Sequence, residues 1–143
     1  MSAPHGFTLS DAEELTILTY EGDSAGLTTW LADHILTVRD MHALLEFLPR
    51  MIAETWPLAL TKHVPVGQAG MWALEDHGST PPARDAARMM TAAMNSDHET
   101  LTALILAVMS HDPEHHAAVT AHLLKAWGSG LRAITATSRT GTP

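Results

Sequence analysis

Residues 96–134 read SDHETLTALILAVMSHDPEHHAAVTAHLLKAWGSGLRAI, and their spacing decides the fold. Leu101, Leu104, Ile105 and Val108 recur three and four residues apart, and Val119, Leu123, Trp127, Leu131 and Ile134 do the same. At 3.6 residues per turn that rhythm places each set on one side of an α-helix. Ser96, with Glu99 three residues on, is predicted to open the first of these helices as a capping box. Asp112 before Pro113 is predicted to open the second, because proline is tolerated where no backbone N–H is needed. So short a link at His111-Asp112 folds the pair back as a hairpin. Gly128 and Gly130 are predicted to end or loosen the last helix early, leaving 137–143 as a tail.

Working outward, Thr80 with Pro81 and Pro82 starts another helix, whose predicted buried face is Ala83, Ala86, Ala87, Met90, Ala93 and Met94. Residues 58–82 read as a connector with one short helix around Met71 to Glu75, because Pro65, Gly67, Gly70, Gly78, Pro81 and Pro82 interrupt them. Between 24 and 55 the apolar positions keep one phase from Leu27 through Ile52, so one long helix is possible. Thr37 with Asp40 offers a restart instead. Pro49 is expected to kink or break this stretch and Pro57 to end it, at a cost of about 3 kcal/mol for an interior proline. The first helix is predicted to open at Ser10, boxed by Glu13, and to close near Glu21-Gly22, with 1–7 as a tail. Nothing alternates as a half-buried strand would. The fold class is therefore all-α: one domain over 1–143, a compact bundle of six or seven helices with short hairpin connections in the C-terminal half.

Hydrophobic residues are 45% of the chain and charged residues 17%, a balance that buries a core instead of remaining disordered. The absence of cysteine excludes disulfides, thiolate nucleophiles, iron–sulfur clusters and thiolate zinc sites. Eleven of the sixteen acids lie in 1–80 against Arg39, Arg50 and Lys62, so the net charge of −8 sits in the first part. No basic stripe is present to displace counterions from phosphates, which argues against nucleic acid as a partner. Met1 to Ser10 has neither the basic region nor the apolar run of a secretory signal, and no stretch approaches the ~20 apolar residues of a membrane span. Cytoplasmic residence is the expectation, and alanine- and threonine-rich, lysine-poor usage points to a bacterium or its phage.

Ten histidines are the compositional oddity with chemical content, since imidazole serves as metal ligand, general base and pH switch. His42 and Glu46 stand four apart on one helical face, and His111 and His115 four apart across the Asp112-Pro113 start. Brought together, His42, Glu46, His111 and His115 would make a histidine–carboxylate site for iron or zinc, with redox or hydrolytic chemistry. The plain alternative is that these are ordinary, partly exposed histidines. His115 and His122, seven apart, are ~10 Å apart along a helix and cannot share one ion. The Glu-x-x-His pairs of ferritin-like di-iron sites do not occur. Ser10, Ser24, Ser96 and Ser110 sit at expected caps or turns, and Ser129 lacks the strand–turn–helix setting of a hydrolase nucleophile. No catalytic residue is assigned.

Trp30, Met41, Met90, Met94 and Trp127 fall on the helical stripes, whereas Trp56, Met89 and Met109 lie off or at the edge of them. If exposed, those three would anchor a partner. His115, His122, Ala126 and Ala133 form a strip of moderately polar and small residues along the last helix, suited to self-association or to contact with a neighbouring helix. The leading expectation is a non-enzymatic, acidic helical protein without a cofactor that works through a protein partner, as a homo-oligomer. The metal-binding bundle is the second.

Overall fold

Side-chain caps at five helix starts and two left-handed turns set most of the boundaries in the computed structural model of the chain, which describes residues 8–60 and 80–140. Six helices result: α1 (Leu9–Glu21), α2 (Ser24–His34), α3 (Val38–Leu60), α4 (Pro81–Met94), α5 (His98–Met109) and α6 (Pro113–Thr140). The described residues contain no strand, and the architecture is an all-α compact fold. The predicted helix around Met71 to Glu75 lies outside the described residues.

The cap of α1 is Thr8 and not Ser10. Thr8 Oγ1 accepts from the Asp11 amide at 3.1 Å while Asp11 accepts from the Thr8 amide at 3.2 Å. The same reciprocal logic as the expected Ser10–Glu13 box operates two residues earlier. Gly22, at φ +68°, ends α1 with its N–H directed to Leu18 and Thr19 carbonyls. Asp23 accepts from the Gly26 amide to start α2.

Residues 24–55 form two helices. Thr37 Oγ1 accepts from the Asp40 amide at 3.1 Å, and Asp40 Oδ2 accepts from the amides of Leu36 and Thr37 at 3.0 Å each. These side chains capture the amides that a continuous helix would need, so the chain turns although the apolar phase runs on.

Pro49 does not break α3, and α3 passes Pro57 to end at Leu60. Two interior prolines cost about 6 kcal/mol in helix terms. Leu44, Leu45, Leu48 and Ile52 are wholly buried on the same helix, a gain on the order of 6–12 kcal/mol. Burial wins.

The α4–α5 turn also departs from expectation. Ser96 is not a cap but the left-handed residue of the turn, at φ +57°. Its neighbour Asp97 sends its amide back to the Ala92 carbonyl at 2.9 Å and caps α5 by accepting from Thr100. The expected start of α6 holds: Asp112 Oδ1 accepts from the His115 amide at 2.9 Å.

Gly128 and Gly130 do not end α6, which continues to Thr140. A Cβ at Gly128 would stand 2.8 Å from the Thr19 carbonyl oxygen, and one at Gly130 would stand 2.9 Å from Trp56 Cδ1. The two glycines are sites of close approach, where α6 meets α1 on one side and α3 on the other.

One core joins the helices, with α3 and α6 as its most extensive pair. Trp127 is wholly buried within it, donating from Nε1 to Thr55 Oγ1 at 3.2 Å and meeting Phe47 edge-on at 5.9 Å between ring centres. The buried face of α4 is Ala86, Met89, Ala92, Ala93 and Met94, one column over from the expected one.

Candidate metal centre

The hairpin links at residues 95–97 and 110–112 reverse the chain twice, so α4 and α6 run parallel and their first turns lie at the same end of the bundle. Asp85 stands in the second turn of α4 and His115 in the first turn of α6. Across that gap His115 Nε2 donates to Asp85 Oδ2 at 2.7 Å, a short charge-assisted bond. The side chains are 11% and 23% exposed, respectively. Because the carboxylate only accepts, it fixes the proton on Nε2 and with it the tautomer of the ring.

His111, in the turn before α6, completes the group. Its amide donates to the Val108 carbonyl at 3.0 Å, and its ring stacks on His115 at 4.1 Å between centres with an interplanar angle of 23°. Asp85, His111 and His115 each offer one donor atom, and the three atoms lie within 4.8 Å of one another. Two imidazoles and one carboxylate are the donor set of zinc and of non-haem iron(II). An ion held by His115 Nε2 would take the place of that proton, the ring then carrying its hydrogen on Nδ1, and would hold the two donor atoms farther apart than the present 2.7 Å. His111 is exposed, so the cluster is open to solvent on that side.

Of the four residues that the spacing singled out, the structure brings His111 and His115 together and leaves His42 and Glu46 apart from them. His42 Nδ1 and Glu46 Oε1 pair with each other at 3.7 Å on α3. Among the described residues, the group within mutual ligand range takes Asp85 in their place. Asp85 escaped sequence reasoning because it lies thirty residues from His115 on another helix. A signal existed in the two short links, which already imply that α4 and α6 start at one end.

The residues expected at an interface are spread over different settings. Met89 is wholly buried in the core, so it is not an exposed anchor. Trp56 is half-buried and donates from Nε1 to the Ala126 carbonyl at 2.9 Å, so this part of the α6 strip faces α3. Met109 is half-buried against the core, His115 belongs to the cluster above, and His122 and Ala133 are exposed. Among the described residues no helix is long and apolar enough to cross a membrane. No family model, curated protein or solved structure matches the chain.

Proposed function

We propose that the protein is a metal-binding helical bundle that holds a divalent first-row ion, zinc or iron(II), through Asp85, His111 and His115. The observation that supports this reading is the convergence of three donor atoms from α4, the α5–α6 turn and α6 within 4.8 Å. An ion with three protein ligands retains open positions, and there it would polarise a bound water or a substrate oxygen. The test is elemental analysis of purified protein together with cobalt(II) titration, whose visible absorption reports the ligand field. One ion per chain is expected, lost in His115→Ala and in Asp85→Ala and kept in His42→Ala. No stoichiometric metal, or equal loss in His42→Ala, would overturn the assignment.

A second reading, action through self-association, is favoured by one observation. Leu36 and Val38 flank Thr37 at the α2–α3 corner and are 73% and 75% exposed. Two large apolar side chains held this openly on a capped corner suit a partner's surface, here a second copy of the chain. Light scattering over a dilution series tests it: Leu36→Glu with Val38→Glu should give a monomer at every concentration, and a wild-type monomer throughout removes the reading.

A further inference from the structure

α2 packs on α1 and stands off from α6. A cleft of about 470 Å³ opens between them, within the size range of small-molecule sites. Its walls mix polar and apolar side chains, with Thr28 and Lys125 standing among the leucines and alanines. At the end where α1 finishes lie Gly22, Ser24 and Arg132, and Lys125 follows two turns along α6. At the other end the lining is Leu31, Ala117 and Ala121, with Leu27 and Leu124 between.

The two cations are the informative feature in a chain of net charge −8. Lys125 is exposed and has no carboxylate partner among the described residues. Arg132 Nη1 donates to the carbonyls of Tyr20 at 3.2 Å and Thr19 at 3.4 Å. Those contacts fix the guanidinium through one nitrogen and leave the other donors of its fork for an anion. At this end Asp23 accepts from the α2 amide of Gly26, and Glu21 closes α1 as an exposed residue. From Ser24 to Leu31 the cleft extends ~10 Å along the axis of α2, at 1.5 Å per residue.

We infer that this cleft binds an amphiphilic carboxylate, a medium-chain fatty acid, with its head between Arg132 and Lys125 and its tail along Leu27, Leu31 and Ala121. Charge fixes the orientation of the ligand and the apolar walls supply the burial. This site is separate from the histidine cluster and does not depend on it.

The test is calorimetric titration with sodium decanoate below its micelle concentration, beside decyltrimethylammonium and butyrate, with amide NMR shifts to locate binding. Decanoate should saturate at one molecule per chain and move the amides of Gly22, Thr28 and Leu31. Butyrate and the ammonium should bind at least about tenfold more weakly, as should decanoate to Lys125→Glu. Lys125 is exposed, so that variant is expected to fold; Arg132→Gln serves beside it, with a thermal melt to report any loss of the α1 cap. Equal binding of the ammonium, an unchanged affinity in Lys125→Glu, shifts confined to other faces, or no saturation would each overturn the inference.

Discussion

Thr55 and Trp127 meet at the centre of the α3–α6 pair, where the indole N–H donates to the threonine hydroxyl at 3.2 Å and the hydroxyl donates onward to the Met51 carbonyl at 2.6 Å. Both residues are buried, so each hydrogen of this short chain has one acceptor and water supplies no substitute. Thr55→Val keeps the shape and removes the acceptor. An unsatisfied buried N–H costs about 1–3 kcal/mol, and urea denaturation should show a loss in that range. Thr55→Ser should lose less, because it keeps the oxygen and gives up only a methyl group.

Gly128→Ala inverts the usual sign of a helix substitution. Alanine in a helix interior is ordinarily worth about 1 kcal/mol over glycine. Here the added methyl would press on the Thr19 carbonyl oxygen at 2.8 Å, a backbone atom that cannot swing aside. Overpacking of this kind costs about 1–3 kcal/mol, so the variant should unfold at lower urea. Ser129→Ala, on the exposed side of the same turn, should be unchanged or slightly more stable.

Two of the histidine–carboxylate pairs, His115–Asp85 and His42–Glu46, should differ in metal-free protein. His115 and Asp85 are mostly buried and 2.7 Å apart, whereas His42 and Glu46 are 3.7 Å apart and more than a third exposed. Asp85→Ala is expected to cost about 1–2 kcal/mol through the lost charge-assisted bond. Glu46→Ala should fall within about 0.5 kcal/mol of wild type, as exposed i,i+4 pairs do. Thermal melts in the presence of chelator compare them directly.

Asp97 links stability to pH. The hydrogen bonds it accepts from Thr100 hold its carboxyl below the ordinary value of 3.8, because they favour the charged form. A depressed folded-state value means that the contribution is present above the unfolded value of 3.8 and disappears as pH falls through the lower folded one. Urea midpoints should therefore decline below about pH 4 more steeply in wild type than in Asp97→Asn, which caps without titrating. Identical pH slopes would remove this role.

How much of this was legible in the sequence depended on the range of the interaction. The stripes of α5 and α6 and the Asp112-Pro113 start are local patterns, and they stand where the spacing put them. Cap choice was less legible, because Thr8, Ser10 and Asp11, or Ser96 and Asp97, are all competent acceptors within two or three residues. Which one is used follows from the register that buries Leu15 and Leu101. The survival of α3 past Pro49 and the roles of Gly128 and Gly130 were hidden for a different reason: each is decided by a neighbouring helix. Two of the three members of the histidine cluster, His111 and His115, were visible as a four-residue spacing. Its carboxylate was not, because only the parallel placement of α4 and α6 delivers Asp85.

The prolines of α3 carry a consequence for the order of assembly. A segment lacking two rungs of its ladder has little helical preference in isolation, and short helices are marginal in water even without such gaps. The α4–α5 and α5–α6 hairpins close over few residues, so their contacts form at small loop-closure cost. Nucleation is expected in the C-terminal hairpins, with α3 condensing onto that platform afterwards. Substitutions at Ile105 should then slow refolding, whereas those at Ile52 should chiefly hasten unfolding.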